Sequence, residues 1–373
     1  MKNINVLSLF DGMSCGQQAL ERVGIKVNKY FASEIDKYAI QVTQKNYPNT
    51  IQLGSVLDVD GYKLPKIDLL MGGSPCQSFS FAGKRKGMST KCETEILTLE
   101  HYLELKAEGY EFEGQSYLFW EFMRLLNEVK PKYFLLENVE MGEKWEKVLS
   151  KAIGVNGIHI NSALVSAQNR KRIYWTNIGM KPSGLFGYLE SIIQQPKDKG
   201  TLLKDVLESE VDDKYFLSEK AIGYLQRAKN ERVENVKYND GSDKTSTLTS
   251  NYKRGVHNGG ETYYLDTGNT NAIEIREVKQ ISTNNKSNEG TQPYQQDRIY
   301  DINGISPALQ AQLPKGSTMI NTSRIRRLTP IECERLQTVA DNYTAHVSDS
   351  QRYRMLGNGW TIDVIAHIFS YIK

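Results

Sequence analysis

The stretch VLSLFDGMSCGQQALERV, residues 6–23, determines how the rest of the chain is interpreted. Its apolar beginning, residues 6–10, predicts a buried strand, and residues 17–23 predict a helix. Between them lies a glycine-containing turn, in which the backbone can approach a ligand closely at the start of the helix. The turn does not match the G-x-G-x-x-G pattern of nicotinamide-binding folds, so that class of protein is disfavoured.

The same alternation of strands and helices continues to about residue 180. Further apolar strand candidates are Tyr30–Ala32, Ile67–Met71, Tyr133–Leu136 and Ile173–Trp175. In residues 116–129 apolar side chains recur every three or four positions, which predicts a helix that ends before Pro131. Such alternation is typical of an α/β fold, a parallel sheet with helices on both faces. Ligands of such sheets gather at the carboxyl ends of the strands.

The composition is that of an ordinary globular protein. Of 373 residues, 39% are hydrophobic and 24% are charged, with a formal net charge of +3. The length suits two domains, or one large domain that carries an insertion. We expect a cytoplasmic protein, because no apolar run approaches the ~20 residues that span a bilayer and the N-terminal apolar stretch is too short for a signal peptide. The four cysteines form no C-x-x-C pair, so neither a metal site nor a disulfide framework is predicted.

The character of the sequence changes twice along the chain. Residues 185–322 are rich in Asn, Thr, Ser, Gly and Tyr, which indicates short strands and long loops, with helices predicted at 202–209 and 219–227. The helical pattern returns from Arg324 and ends in an amphipathic segment, residues 360–371, that needs a partner to pack on. We therefore predict a first part at 1–184, an inserted loop-rich domain at 185–322, and a C-terminal part at 323–373 that returns to the first.

Three segments place reactive side chains at predicted strand ends. Cys76 follows a strand in LLMGGSPCQSFSFAG (69–83), and Glu137 follows another in LLENV (135–139). In AQNRKRIYW (167–175), period-two spacing predicts that Arg170 and Arg172 lie on one face of a strand. Taken singly, each has an ordinary explanation: a buried structural cysteine, a surface or capping glutamate, and solubilising charges on an edge strand.

In combination these segments are far more specific. The chain resembles the DNA cytosine-5 methyltransferase family, of the prokaryotic or phage type, along nearly its whole length. The resemblance rests on FDGMSCGQQAL (10–20), GGSPCQSFS (72–80), ENV (137–139), QNRKR (168–172), RRLTPIECERLQ (326–337) and GNGWTIDVIAHI (357–368). It implies an S-adenosylmethionine-dependent, Rossmann-like methyltransferase sheet into which residues 185–322 are inserted as a target recognition domain.

The resemblance also implies a covalent mechanism. Carbon 5 of cytosine is a poor nucleophile until a thiolate adds to carbon 6 and converts the ring into an enamine. Cys76 is the implied nucleophile, and Glu137 is implied to hold ring nitrogen 3 and the amino group. Arg170 and Arg172 are implied to lie near Glu137 and the cytosine carbonyl oxygen, with Arg172 touching the base. After methyl transfer a base removes the carbon 5 proton. The sequence identifies no residue for that step, and water is the candidate base.

The expected donor is S-adenosylmethionine. Glu34 follows the second predicted strand and lies ~20 residues after the glycine-containing turn. At that spacing a carboxylate can accept hydrogen bonds from the ribose hydroxyls of a bound ligand. The expected donor-binding residues are Phe10, Asp11, Gly12, Met13, Ser14, Gly16, Glu34, Ile35, Ser55, Val56, Pro75, Asn358 and Trp360. Ser55 departs from the family, which commonly has an aspartate there for the adenine amino group; either the serine or nearby Asp58 would have to replace it.

The expected partner is double-stranded DNA, from which the target base must be extruded. The candidate DNA contacts are Gln77, Ser80, Lys84, Arg85, Lys86, Lys253, Arg254 and Arg298. A cognate restriction endonuclease is a further candidate partner, and a monomer is expected. Residues 88–114 make a longer segment than the family predicts and have no assigned role. Three alternatives stay open: a methyltransferase acting on cytosine in transfer RNA, a catalytically silent DNA-binding homologue, and a small-molecule methyltransferase.

Overall fold

The computed structural model describes residues 3–75, 88–183, 188–216, 280–282, 299–300, 306–307, 319–321 and 325–373. The predicted nucleophile Cys76 and all of the candidate DNA contacts lie outside these residues, as does the helix predicted at 219–227.

A seven-stranded sheet organises the described residues. Its strands are β1 Ile4–Leu9, β2 Val27–Ser33, β3 Ile51–Gln52, β4 Leu69–Gly73, β5 Tyr133–Val139, β6 Ile158–Asn161 and β8 Lys171–Thr176, and the short strand β7, Gln168–Asn169, lies outside this sheet. The strands lie side by side in the order β3-β2-β1-β4-β5-β8-β6. The first five strands run parallel, as the alternating pattern predicts. The prediction of an all-parallel sheet is wrong at one end, because β8 runs antiparallel to both β5 and β6.

Helices cover both faces of the sheet, so its central strands are apolar on both sides. Val6 and Leu7 of β1, which point to opposite faces, are both fully buried. One face carries α1 Cys15–Arg22, α2 Lys37–Asn46, α6 Pro330–Leu336, α7 Asp349–Asn358 and α8 Ile362–Phe369. The other face carries α3 Leu99–Ala107, α4 Phe119–Val129 and α5 Glu143–Ile153. The mixed α/β class predicted from the sequence is confirmed.

Local sequence signals account for several helix boundaries. The helix α4 ends at Val129 and is capped by Lys130, whose left-handed backbone (φ 42°) precedes Pro131. The helix α6 begins with Pro330 after a capping box, in which Thr329 and Glu332 exchange hydrogen bonds with each other's backbone N–H groups. The helix α8 shares an apolar core with α1, so the C-terminal amphipathic segment packs on the first part of the chain.

A single buried carboxylate joins the two ends of a long stretch of chain. Glu332 accepts hydrogen bonds at 2.7 to 2.9 Å from the backbone N–H groups of Glu208 and Thr329 and from both terminal nitrogens of Arg326. Both Arg326 and Glu332 are almost completely buried. The chain leaves the described core shortly after Glu208 and rejoins it at Arg326, so its exit and return are fastened at the same point.

The long segment that begins at Met88 packs on α4. Glu121 of α4 is fully buried and accepts hydrogen bonds from Tyr102 (2.5 Å), Lys106 (2.6 Å) and Arg124 (2.7 Å). Phe112 stacks on Tyr117 at a ring-centroid distance of 4.6 Å. The segment is therefore a helix-loop element that is held on α4 by the hydrogen bonds of the buried carboxylate of Glu121.

The described residues between 180 and 327 form only short elements. The prediction of a helix at 202–209 is wrong, because this stretch forms only a 3-10 turn, Leu203–Val206. Short strands are β9 Met180–Ser183, β10 Tyr188–Ser191, β11 Gln280–Ser282, β12 Ile299–Tyr300, β13 Ser306–Pro307, β14 Met319–Asn321 and β15 Ile325–Arg327. Every helix within the described ranges is too short or too polar to cross a membrane.

Candidate active site

The carboxyl ends of β1, β4 and β5 meet at one edge of the sheet. Gly73, the last residue of β4, lies opposite Glu137 in β5. The chain passes from β4 through Ser74 and Pro75 towards Cys76, and from β1 into the glycine-containing turn. This edge therefore collects the predicted base-binding and donor-binding segments, as expected for a parallel sheet.

Glu137 is the central polar group of this edge. Its side chain is mostly buried, and each carboxylate oxygen has a partner from a different part of the chain. The Nε of Arg172 lies 2.9 Å from Oε1. The indole Nε1 of Trp360 donates to Oε2 at 3.2 Å. A buried carboxylate held by a cation and a neutral donor is charge-compensated and fixed in orientation.

The two arginines occupy different positions. Arg172 belongs to β8, whereas Arg170 lies between β7 and β8, so the prediction that both lie on one strand is wrong. The reason is local, because the backbone N–H of Arg170 donates to Oδ1 of Asn161 (3.0 Å). Its buried guanidinium donates to the carbonyl oxygen of Gly359 at 2.9 Å. Arg172 therefore pairs with Glu137, while Arg170 supports the turn that carries Trp360.

Asn138 links β5 to the segment that leads to Cys76. Its side-chain amide donates to the carbonyl oxygen of Ser74 (3.2 Å) and to the Ser74 hydroxyl (3.0 Å). Both residues are buried. The sequence analysis did not assign a role to Asn138, although it lies in the ENV motif. Its contacts fix the chain two residues before the predicted nucleophile.

Gly73 has a steric reason to be glycine. A Cβ atom at this position would lie 2.9 Å from Nε1 of Trp360 and 3.0 Å from Oε2 of Glu137. Any side chain would separate these two groups. The absence of a side chain at Gly73 therefore permits their hydrogen bond.

The turn after β1 is held in left-handed backbone conformations at Phe10, Gly12 and Ser14 (φ 57°, 57° and 59°). Glu34 stabilises it from the end of β2. Its Oε2 accepts from the N–H of Gly12 at 2.7 Å, and its Oε1 accepts from the N–H groups of Ile35 (2.7 Å) and Asp36 (2.8 Å). Burial raises the pKa of Glu34, against the lowering effect of these backbone hydrogen bonds.

Asp11 supports the same turn from inside the protein. Tyr30 donates to its Oδ1 at 2.6 Å, and the Ser14 hydroxyl donates to its Oδ2. Gln17 continues the network by donating to the hydroxyls of Ser14 (3.0 Å) and Thr50 (2.8 Å). Burial raises the pKa of Asp11 to about 6, although the hydrogen bonds from Ser14, Ser8 and Tyr30 lower it.

The other expected donor-binding residues differ in their exposure to solvent. Ile35 is 72% exposed, and Asn358 is exposed at the end of α7. Met13 is buried, and Gly16 lies so close to Met71 that a Cβ atom would collide with it. The Ser55 hydroxyl accepts from the N–H of Leu57 at 3.2 Å and caps the 3-10 turn Val56–Asp58.

Gln337 is a further site-supporting residue that the sequence analysis did not identify. Its side-chain nitrogen donates to the carbonyl oxygens of Leu356 (2.6 Å) and Gly359 (3.3 Å), and its oxygen accepts from the Thr361 hydroxyl (2.8 Å). It thereby fixes the turn between α7 and α8. Its place at the end of the RRLTPIECERLQ segment is a sequence signal, but its partners are distant in sequence.

Comparisons with known proteins give a matching family model, similar relatives and a solved structure of similar fold. The model of the family described as C-5 cytosine-specific DNA methylase matches residues 4–373. The chain is 27% identical to the orphan methyltransferase M.SPRI of Bacillus phage SPR, over 99% of this chain and 97% of that protein. It is also 27% identical to the type II methyltransferase M.NlaX of Neisseria lactamica, over 99% and 96%. Its fold is similar to the S. pombe Dnmt2 methyltransferase crystal structure, with a TM-score of 0.57, 15% identity, and 99% and 98% coverage.

Proposed function

Since the chain belongs to the C-5 cytosine-specific DNA methylase family, we propose that it methylates carbon 5 of a cytosine flipped out of duplex DNA, through a covalent adduct with Cys76. As a DNA (cytosine-5-)-methyltransferase it uses S-adenosylmethionine as its methyl donor. The observation that carries the mechanism is the carboxylate of Glu137, which is held by Arg172 and Trp360 beside the residues that lead into Cys76.

Cys76 is the proposed nucleophile. The support for this role comes from its neighbours, because Asn138 fixes Ser74, and Pro75 restricts the next backbone step. A nucleophile that forms a covalent bond to a base needs such a defined starting point. The thiolate sulfur adds to carbon 6, and the electron pair of the carbon 5–carbon 6 double bond becomes available at carbon 5.

Glu137 is proposed to stabilise the charge that this addition places on the ring. A carboxylate has about four lone-pair sites, two on each oxygen. Arg172 and Trp360 use one on each oxygen. The remaining two lone pairs suit two parallel donors, namely ring nitrogen 3, which takes a proton from water as the thiolate adds, and the exocyclic amino group of cytosine. Arg172 is then adjacent to the base and placed to meet its carbonyl oxygen.

The donor is proposed to lie over the turn that follows β1. When bound, S-adenosylmethionine would supply the electrophilic methyl group that carbon 5 takes up. The exposed side chain of Ile35 and the partly buried Phe10 offer apolar surface for an adenine ring, and Val56 belongs to the buried core on which Phe10 packs. Glu34 accepts two backbone N–H groups at Oε1 and one at Oε2, which leaves a lone pair on Oε2 for a ribose hydroxyl, and Asn358 is proposed to meet the methionine part. The residues present therefore fit this donor.

The rest of the donor assignment follows from which atoms are still available. Because the Ser55 hydroxyl accepts the N–H of Leu57 with only one of its two lone pairs, we assign adenine recognition near Ser55 to that hydroxyl, to backbone groups and to exposed Asp58. The carbon 5 proton leaves to water, after which the carbon 6–sulfur bond breaks and Cys76 is regenerated.

The proposed substrate is double-stranded DNA, with residues 185–322 as the target recognition region. The segment after Cys76 is proposed to close over the flipped nucleotide and contact phosphates through Lys84, Arg85 and Lys86. Since named relatives include both orphan and type II methyltransferases, a restriction endonuclease is expected as a partner only in the second case.

The test is base-resolution sequencing of cytosine methylation in DNA from cells that express the protein, with Cys76→Ser as the control. Methylated cytosines in one short motif, present with the parent protein and absent with the variant, are expected. If soluble parent protein leaves DNA unmethylated but methylates cytosine in transfer RNA, the substrate assignment is wrong. If Cys76→Ser is as active as the parent, the covalent mechanism is wrong.

A further inference from the structure

The turn between α7 and α8 contacts both halves of the proposed active site. Its Trp360 indole donates to Oε2 of Glu137 at 3.2 Å, on the side of the base. On the side of the donor, Gly359 packs on the turn after β1. A Cβ atom added to Gly359 would lie 2.8 Å from Cε of Met13 and 3.2 Å from Sγ of Cys15. Two successive residues therefore face the two sites.

The backbone of this turn is firmly held. The carbonyl oxygen of Gly359 accepts from Arg170 at 2.9 Å and from Gln337 at 3.3 Å. The Thr361 hydroxyl donates to Gln337 at 2.8 Å and contacts the Ser162 hydroxyl at 2.9 Å. With hydrogen bonds on either side of Trp360, the indole has a defined position from which to direct its N–H group.

The consequence for Glu137 is geometric. Arg172 can form two parallel hydrogen bonds to a carboxylate, and a carboxylate free at Oε2 would turn towards that arrangement. The indole N–H occupies Oε2 and opposes this rotation. Gly73 leaves the space in which this contact forms. The carboxylate thus keeps one lone pair on each oxygen available in the orientation that two cytosine donors require.

We propose that Trp360 is a positioning residue for Glu137, which acts by fixing the carboxylate in its base-binding orientation. The inference rests on the proposed function, in which Glu137 binds the base. It differs from the role implied by sequence resemblance, in which Trp360 binds the donor. The two roles affect different quantities: positioning governs the rate of methyl transfer at saturating donor, and donor binding governs the dissociation constant for S-adenosylmethionine.

The experiment compares Trp360→Phe, which keeps an aromatic ring but removes the N–H, with Trp360→His, which keeps a ring N–H. Long unmethylated genomic DNA and tritium-labelled S-adenosylmethionine are the probes. Single-turnover transfer rates are measured with enzyme in excess, donor affinity by equilibrium dialysis, and folding by thermal melting. For Trp360→Phe we expect a rate about 10- to 100-fold lower, with donor affinity within about threefold of the parent value. Trp360→His should be faster than Trp360→Phe.

Glu137→Gln separates failure of this inference from failure of the proposed function. Adding Trp360→Phe to Glu137→Gln should lower the residual rate by much less than it lowers the parent rate, because the group that Trp360 positions is already altered. A parent-like rate for Trp360→Phe, or weakened donor binding with an unchanged saturated rate, would overturn the positioning role. If both Trp360 variants melt early, their rates relative to each other still decide the question. A fully active Glu137→Gln would instead overturn the proposed function.

Discussion

The guanidinium Nε of Arg172 lies 2.9 Å from a carboxylate oxygen of Glu137, across the antiparallel pair formed by β5 and β8. Both side chains are mostly buried, at 16% and 11% exposure, so neither charge is well solvated without the other. This ion pair connects β5 to its antiparallel neighbour β8.

Replacing Arg172 by Gln should damage both stability and activity. The variant leaves the carboxylate of Glu137 without its cation, which we expect to lower the free energy of unfolding by about 3 kcal/mol. Methyl transfer should fall by about 100-fold or more, because the carboxylate loses its orientation. Urea unfolding and single-turnover methylation measure the two effects. Lys171→Gln, which removes an exposed neighbouring cation, is the matched control and should leave stability nearly unchanged.

Replacing Asn138 by Ala should release the segment before Cys76. Two hydrogen bonds to Ser74 are lost from a buried position, and we expect a loss of about 1–3 kcal/mol in stability and about a tenfold slower transfer. Ser74→Ala removes only the hydroxyl partner and leaves the carbonyl contact, so its effects should be smaller. Equal effects of the two substitutions would contradict a role for the backbone contact.

Asp11 predicts a pH dependence of stability with a defined sign. Its pKa is raised from 3.8 to about 6 in the folded protein, so the folded state retains a proton that the unfolded state releases. The contribution to stability is therefore fully present below about pH 4. It is lost as pH rises to about 6, by a total of about 3 kcal/mol.

Asp11→Asn removes this titration. The parent loses the contribution of Asp11 as pH rises, whereas the variant has no such contribution to lose. The free energy of unfolding of the variant, minus that of the parent, should therefore rise between pH 4 and pH 7, with the other titrating groups common to both proteins. Urea unfolding at several pH values measures the difference. A difference that stays constant over this range would contradict the buried, proton-retaining environment of Asp11.

The cysteines predict a selective labelling experiment. Burial raises the pKa of Cys15 to about 12 and raises that of Cys333 as well, so at pH 8 both thiols stay protonated and protected. Cys92 is exposed. In a Cys92→Ser variant, iodoacetamide should therefore inactivate methyl transfer in step with modification of Cys76. Peptide mass spectrometry identifies the labelled cysteines, and earlier labelling of Cys15 or Cys333 would contradict the prediction.

The sequence predicted the elements of the site better than their contacts. The apolar runs located β1, β4 and β5, and parallel order then placed the segments after them at one edge. Glu137 lies near the same edge, although it belongs to β5, which continues to Val139, and does not follow the strand as predicted. These features depend on local pattern and on the handedness of strand-helix-strand connections, which residue types can specify.

Contacts between distant parts of the chain could not be predicted in this way. Glu137 and Trp360 are separated by 223 positions, and nothing in either local segment specifies their hydrogen bond. The reversed strand β8 was equally hidden, because an apolar strand has the same pattern in either direction. Arg170 seemed to share a strand with Arg172 because period-two spacing cannot detect a break in pairing caused by the Asn161 side chain.

Glu332 has a consequence for how this protein can evolve. It fastens the exit of the chain at Glu208 and its return at Arg326 to one buried point, so the ends of the intervening segment stay fixed whatever sequence connects them. Under the proposed assignment of that segment to target recognition, recombination between Glu208 and Arg326 can replace one target recognition region by another. The sequence that forms the catalytic sheet is then unchanged. The lineage can then acquire a new DNA motif in a single exchange.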